Sequence, residues 1–313
     1  MVQVKMRASW LALIGLFVAM LVSWSLTVAP VAAASSMPFG KGRLFEVSMP
    51  GTPPNYVFGT MHVADKEVLK LPAPIARAFK GSRLVLVEND GDPAEMTTIL
   101  QAMLLPKGHT LKDLLKPALY AEVVTAGEAM GLNESKVNRL RPWALAFMLG
   151  DPGDRNARQA SGQPVLDDAL QRYAAKRGVP VAALDRANEI ANLFTIQLSD
   201  AEQALMLEDL LHDPVPVADR IEAIRTAYLA GDLDIMMQSF HMNDPAMSDA
   251  KRRFAKKFLL GLLTDRNQRW IPRMASHLKS GGVFVAVGAA HLPGEEGILR
   301  LLEKAGYRVE RVL

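Results

Sequence analysis

The chain has 313 residues, half of them apolar, which is enough for a large buried core. It contains no cysteine, so disulfides, thiol catalysis and cysteine-ligated metals are excluded, and any metal must be held by His, Asp or Glu. The formal net charge of the chain is +3. Residues 1–34 contribute two basic and no acidic side chains, so residues 35–313 carry 3 − 2 = +1. A charge this close to zero argues against a nucleic-acid partner.

Residues 1–34 have the pattern of a secretory signal peptide. Lys5 and Arg7 precede the apolar run 10–28, and Ala32–Ala34 supplies the small residues of a cleavage site. The run approaches the length of a transmembrane helix, so an uncleaved N-terminal anchor is the alternative. Both interpretations predict an exported protein of the periplasm or cell envelope, which contacts the membrane only through this segment if it stays uncleaved.

The rest of the chain begins with short strand candidates. Residues 43–49 and 56–59 are separated by a segment rich in Pro and Gly, which predicts a hairpin. The second strand runs through a glycine to His62. After a short helix candidate, the wholly apolar residues 84–87 predict a strand buried on both faces, and this strand ends at Glu88.

The middle of the chain, 93–279, has apolar residues at the helical spacing of three and four, with candidate helices that include 188–197 and 247–263. One short strand candidate, 179–184, interrupts the helices. It leads to Asp185 and a further helix, as in an αβα step of a parallel sheet.

The C-terminal part returns to strands, with candidates at 283–287 and 307–312 on either side of a helix. These patterns predict an α/β fold with a mixed sheet built from N-terminal and C-terminal strands. We expect one domain, 35–313, with a large and mostly helical insertion at 93–279.

Two G-x-x-H elements lie near opposite ends of the chain, and each directly follows a strand candidate. They are Gly59-Thr-Met-His62 and Gly288-Ala-Ala-His291. Open α/β sheets bind ligands at the carboxyl ends of their strands, where Glu88 is also placed. Because a buried carboxylate is costly without a partner, we expect His62, Glu88 and His291 to share one polar site.

Two imidazoles and one carboxylate form a ligand set that leaves positions open for water and substrate. His62, Glu88 and His291 therefore predict a site for a divalent transition metal, with manganese, cobalt, zinc and iron all possible. Such an ion activates water and polarises a carbonyl, which is the chemistry of metal-assisted hydrolysis. Alternatively, Glu88 is the general base and not a ligand, and the sequence leaves both roles open.

Several segments of the sequence carry a further signal when taken together: 58–63, 84–88, 263–267, 285–292, Gly294 and 301–309. In these segments the chain resembles the TraB/GumN family, which is related to the TIKI metalloproteases and more distantly to the erythromycin esterase and ChaN-like proteins. The resemblance implies a mixed α/β fold in which both chain ends contribute to one sheet. It also implies a site formed by His62, Glu88 and His291.

The resemblance further includes the Asp-Arg-Asn run, which implies catalytic roles for Arg266 and Asn267 beside Glu88. A guanidinium and an amide at a helix start could hold a substrate carboxylate or a developing oxyanion. Helix capping and a salt bridge are the structural alternative.

The functions that the resemblance implies fall into three classes. TIKI proteins are metal-dependent proteases, which implies a metal-dependent peptidase or amide hydrolase of the cell envelope with a peptide or protein substrate. ChaN-like relatives are associated with haem or iron, which implies a haem- or metal-binding protein without turnover. A non-catalytic envelope factor in polysaccharide or signalling systems is the third.

Overall fold

The computed structural model of the chain describes residues 37–150, 164–239 and 247–313. The predicted signal peptide, residues 1–34, lies outside these ranges. Within them, no helix combines the length and the apolar character needed to cross a membrane.

Six strands form one sheet. They are β1 (Leu44–Ser48), β2 (Asn55–Thr60), β3 (Leu84–Val87), β4 (Val181–Ala183), β5 (Val283–Gly288) and β6 (Arg308–Arg311). Their order across the sheet is β4-β3-β5-β2-β1-β6. The four strands β4, β3, β5 and β2 are parallel, whereas β1 pairs antiparallel with β2 and β6. The predicted α/β class, the mixed sheet, and the hairpin of the first two strands are confirmed.

In the described residues, the helices before β4 are α1 (Lys66–Leu69), α2 (Ala73–Lys80), α3 (Pro93–Ala102), α4 (Leu111–Leu114), α5 (Pro117–Ala129), α6 (Glu134–Val137), α7 (Pro142–Leu149) and α8 (Leu166–Lys176). Those after β4 are α9 (Ala187–Asn192), α10 (Asp200–His212), α11 (Val217–Leu229), α12 (Leu233–Gln238), α13 (Asp249–Leu259), α14 (Asp265–Leu278) and α15 (Ile298–Lys304).

The central strands are apolar because the sheet is covered on both faces. Every residue of β3 is buried, and so are the five apolar residues of β5 before its final glycine. Phe284 of β5 contacts Phe58 of β2, with ring centroids 6.0 Å apart, and Phe79 of α2 at 5.1 Å. Such continuous apolar runs are typical of buried parallel strands.

Two of the predicted helices, 188–197 and 247–263, change to π-helical geometry near their C-terminal ends. The π segments are Leu193–Gln197 and Leu260–Thr264. A Cβ atom at Gly261 would lie 2.4 Å from Leu193 Cδ1, so this glycine permits the two segments to pack closely. Hydrophobic spacing predicts a helix here but does not distinguish α from π winding, which differs by one hydrogen-bond step.

The strand order explains how opposite ends of the chain meet. β5 lies between β2 and β3, with Thr60 paired to Gly288 and Val87 paired to Ala286. All three strands run in the same direction, so they end at one edge of the sheet. The residues that follow them, including Glu88, are therefore brought together at that edge.

Candidate active site

His62, Glu88 and His291 meet at the carboxyl edge of the sheet, as the strand pattern predicts. His62 Nε2 lies 3.7 Å from Glu88 Oε1, and His291 Nε2 lies 4.0 Å from the same oxygen. The three residues are buried, with 8%, 1% and 3% of their surfaces exposed. Because buried ionisable groups require partners, the contacts around each one decide what the site can do.

Gly288 gives Glu88 the room to approach the end of β5. Its backbone N–H donates a hydrogen bond of 2.6 Å to Glu88 Oε1. A Cβ atom at this position would lie 3.1 Å from Glu88 Oε1 and 3.5 Å from His62 Nε2. The φ angle of Gly288 is −51°, which any residue adopts. The glycine therefore favours close approach of Glu88 and does not serve a tight turn.

The imidazole of His62 is flanked by two carboxylates. Its Nδ1 lies 2.7 Å from Asp167 Oδ2, although the two atoms lack the alignment of a hydrogen bond. Asp167 belongs to α8, and its other oxygen accepts a hydrogen bond of 2.8 Å from Thr60 Oγ1. Burial alone lowers the pKa of His62, but Asp167 and Glu88 together raise it to about 10. In this arrangement His62 is an imidazolium at neutral pH.

His291 is neutral and is held in one tautomer by Asn267. The amide nitrogen of Asn267 donates to the carbonyl oxygens of His291, at 3.3 Å, and Glu296, at 2.8 Å. Asn267 Oδ1 is therefore the acceptor for His291 Nδ1, at 2.7 Å, so His291 Nε2 carries the lone pair. Burial and the nearby guanidinium of Arg266 lower the pKa of His291 to about 3.

Arg266, with 1% of its surface exposed, is the cation at the centre of the site. Its Nη1 donates to His291 Nε2 at 3.1 Å and to the carbonyl of Leu262 at 3.2 Å. Its Nη2 donates to Glu88 Oε2 and, at 2.6 Å, to Asp185 Oδ2. Burial by itself raises the pKa of Glu88, but Arg266 and the histidines hold it well below its usual range.

Asp185 and Trp270 complete the surroundings of Arg266. Trp270 Nε1 donates to Asp185 Oδ1 at 2.7 Å, and the guanidinium carbon of Arg266 lies 4.6 Å from the centre of the Trp270 ring. The Trp270 ring also packs against His291, with centroids 4.5 Å apart. The tryptophan therefore contacts both the cation and the neutral imidazole.

The structure thus brings together all five residues predicted for the site: His62, Glu88, Arg266, Asn267 and His291. It adds three that the sequence did not assign to the site, which are Asp167, Asp185 and Trp270. Asp185 follows β4 as Glu88 follows β3, so its position after a predicted strand could have identified it as a site residue from the sequence. The other two lie on helices and carried no comparable signal.

The donor types suit a divalent transition metal, but their lone pairs are already engaged. Glu88 accepts hydrogen bonds from Gly288 and Arg266, and His291 Nε2 accepts one from Arg266. Over the ranges that the structure describes, no group of three or more His, Asp or Glu residues is arranged to hold an ion. The residues as arranged therefore do not fit a bound metal, and the metal site stays a prediction.

Comparison of the sequence with known proteins shows the family of this chain. The model of the TraB/PrgY/gumN family matches residues 44–311. Metalloprotease TIKI2 of Danio rerio is 27% identical over 302 residues, which cover 82% of this chain and 58% of the relative. Metalloprotease TIKI1 of Homo sapiens is 24% identical over 302 residues, which cover 82% and 60%. "Uncharacterized protein YbaP" of Escherichia coli (strain K12) is 23% identical over 266 residues, which cover 82% and 90%.

The chain spans about three fifths of the length of the TIKI relatives that it matches. Their names indicate a family that is distantly metalloprotease-like. The resemblance seen in the sequence motifs is confirmed by the family match, which covers well over half of the residues. This chain belongs to the TraB/PrgY/gumN family.

Proposed function

We propose that this chain is a metal-dependent hydrolase that cleaves peptide bonds. The observation that carries the proposal is the convergence of His62 Nε2 and His291 Nε2 on one oxygen of Glu88, at 3.7 and 4.0 Å. Relatives named metalloproteases support it. For these three side chains to hold a transition ion, His62 would have to lose its Nε2 proton, and Arg266 would have to leave Glu88 and His291. The ion would then supply a Lewis acid and an activated water.

The surrounding residues orient the two imidazoles for this role. Asp167 faces Nδ1 of His62, and Asn267 accepts from Nδ1 of His291, so both Nε2 atoms are directed toward Glu88. Partners of this kind fix ring orientation in metal-binding histidines. Asp167 and Asn267 therefore act as positioning residues in the proposal.

Glu88 is better suited to ligation than to proton transfer in this arrangement. A general base works best with a pKa near the working pH, whereas the pKa of Glu88 is held well below the usual range of a carboxyl group. Of the two roles that the sequence leaves open, we favour that of a ligand.

Arg266 and Asn267 are placed to act on the protein itself rather than on a substrate. Arg266 is buried, and its donors are directed at Glu88, Asp185, His291 and the carbonyl of Leu262. Asn267 is also buried, and its side chain contacts both the imidazole and the backbone carbonyl of His291. We therefore propose positioning roles for both.

The proposed substrate is a peptide or protein, as the names of the relatives suggest, and the proposed location is the cell envelope. The location rests on the basic, apolar and small-residue pattern of residues 1–34. Detection of the mature N-terminus by mass spectrometry of a periplasmic extract tests export and cleavage together.

The function is tested with untagged protein that has been stripped by a chelator and reloaded with manganese, cobalt or zinc. We expect near-stoichiometric metal and cleavage of a peptide library, detected by mass spectrometry, with both lost in His62→Ala and His291→Ala. His212→Ala, at an exposed position, is the matched control and should change neither.

Three other results would contradict the proposal in different ways. A protein that takes up no metal and cleaves no peptide favours the non-catalytic envelope factor. A Soret absorption band on addition of haem favours the haem-binding alternative. Stoichiometric metal without any cleavage favours metal binding without turnover.

A further inference from the structure

A groove lies at the edge of the sheet opposite the candidate active site. It has a volume of about 450 Å³ and is bounded by the turn before β2, one face of α2 and the start of β5. Sites for small molecules usually measure about 300–1,000 Å³. Because the groove is at the amino ends of β2 and β5, it is separate from His62, Glu88 and His291, which follow the carboxyl ends of the strands.

The walls of the groove are mostly apolar and have little conformational freedom. Pro53, Pro54 and Pro74 line it together with the ring of Tyr56. A proline ring fixes its own φ angle. The carbonyl of Pro54 also accepts a hydrogen bond of 3.3 Å from the backbone N–H of Gly282, which joins the turn before β2 to the start of β5. The groove is therefore formed before any ligand enters it.

Arg77 is the only charged side chain among the described residues that line the groove. Within the described ranges, no hydrogen bond or ion pair joins its guanidinium to another residue. The hydroxyl protons of the groove are already used, because Tyr56 Oη donates to Glu46 Oε2 at 3.4 Å and Ser82 Oγ donates to the carbonyl of Phe79 at 2.7 Å. Of the side chains named here, Arg77 is therefore the one that offers free donors to a ligand.

We propose that this groove binds a carboxylate that carries an apolar body, with Arg77 holding the carboxylate. A guanidinium pairs with a carboxylate through two parallel hydrogen bonds. The proline and tyrosine rings contact the apolar part. Two kinds of ligand have this chemistry, which are a free organic acid and the C-terminal residue of a peptide. The binding site goes beyond the proposed hydrolase and does not depend on a metal.

Binding is measured by ligand-observed NMR and calorimetry on the full chain, with a chelator present. Phenylpropionate is the probe for a free acid, and N-acetylphenylalanine is the probe for a peptide end. The amide of each probe keeps the shape but lacks the charge. We expect saturable binding of the acids and about tenfold weaker binding of the amides. Tighter binding of N-acetylphenylalanine assigns the groove to a peptide end, whereas tighter binding of phenylpropionate assigns it to a free acid.

A matched control comes from the same helix. Arg77→Met should weaken the binding of both acids about tenfold. Lys80→Met removes the same charge from an exposed position of α2 that does not line the groove, and it should leave the affinity unchanged. Arg77→Lys keeps the charge but loses the two-bond geometry, so its affinity should lie between those of the wild type and Arg77→Met. Arg77 is exposed like Lys80, so these variants should fold as the wild type does.

Two results overturn the proposal. One is the absence of saturable binding of either acid to the wild type. The other is binding of the acids that is equally strong in Arg77→Met, or that is weakened as much by Lys80→Met. Neither result bears on the proposed hydrolase, which His62→Ala and His291→Ala test at the opposite edge of the sheet.

Discussion

The backbone N–H of Gly288 donates a 2.6 Å hydrogen bond to the side chain of Glu88 and so joins the end of β5 to the end of β3. The two residues lie at the carboxyl ends of neighbouring parallel strands although they are far apart in the sequence. This bond points the carboxylate toward both histidines. A glycine at position 288 favours this bond, since the Cβ atom of a larger residue would lie only 3.1 Å from Glu88 Oε1.

Gly288→Ala is therefore expected to displace Glu88 and weaken the site. The new Cβ would lie 3.1 Å from Glu88 Oε1, and overpacking of this kind costs about 1–3 kcal/mol. We expect a lower free energy of unfolding in urea and a loss of Co²⁺ binding. Gly81→Ala is the control, because its Cβ would meet nothing closer than 3.6 Å. Equal effects of the two changes would contradict the role of Gly288.

The site residues at the strand ends could be predicted, because the sequence shows both the apolar strands and the polar residues that follow them. His62, Glu88 and His291 each follow an apolar strand, and parallel strands place such residues at one edge. The sequence also shows Asp185 after its strand. It does not show that Asp185 faces Arg266, because that contact depends on how α14 packs against the sheet.

The helical contributors could not be predicted from local pattern. Asp167 lies in the first turn of α8, where an acidic residue is favoured by the helix dipole on any exposed helix. Its burial against Thr60 and His62 depends on how α8 packs in the tertiary structure, which the local sequence does not show. Arg266 is similar, since an arginine near a helix start usually reaches solvent. Its full set of buried acceptors comes from four separate segments of the chain.

Asp185→Asn should destabilise the fold strongly. The change leaves the shape of the side chain but removes one of the two carboxylates that pair with buried Arg266. Breaking one side of a buried ion pair typically costs about 3–5 kcal/mol. Urea unfolding measures the loss. Glu310→Gln breaks the exposed pair with Arg308 and should cost less than about 1 kcal/mol. A loss of similar size in both variants would show that Asp185 contributes no more than a surface charge.

The stability of the metal-free protein should depend on pH through two histidines with opposite shifts. The pKa of His62 is raised to about 10, so its stabilising contribution is complete below its unfolded value of 6.5 and is lost as pH rises toward 10. The pKa of His291 is lowered to about 3, so its contribution is complete above 6.5 and is lost as pH falls toward 3. We expect maximal stability near pH 6.5.

Urea unfolding at a series of pH values, with a chelator present, measures this profile. Each histidine adds at most about 1.4 kcal/mol per pH unit to the slope on its own side of the maximum. His62→Gln should flatten the alkaline limb, whereas the exposed His212→Gln should not. An alkaline limb that persists unchanged in His62→Gln would show that another group controls it.

Asp167→Asn tests whether a side chain from α8 controls the charge of His62. Burial lowers the pKa of His62, and Asp167, whose Oδ2 lies 2.7 Å from His62 Nδ1, is the first of the two carboxylates that raise it. An amide at this position should therefore lower the pKa of His62, so the loss of stability at alkaline pH should be smaller and should end at a lower pH than in the wild type. Urea unfolding at a series of pH values measures the change. Asp219→Asn removes a first-turn carboxylate from α11 without touching the site, and so separates the helix-dipole effect from the effect on His62. If both variants show the alkaline limb of the wild type, the charge of His62 does not depend on Asp167.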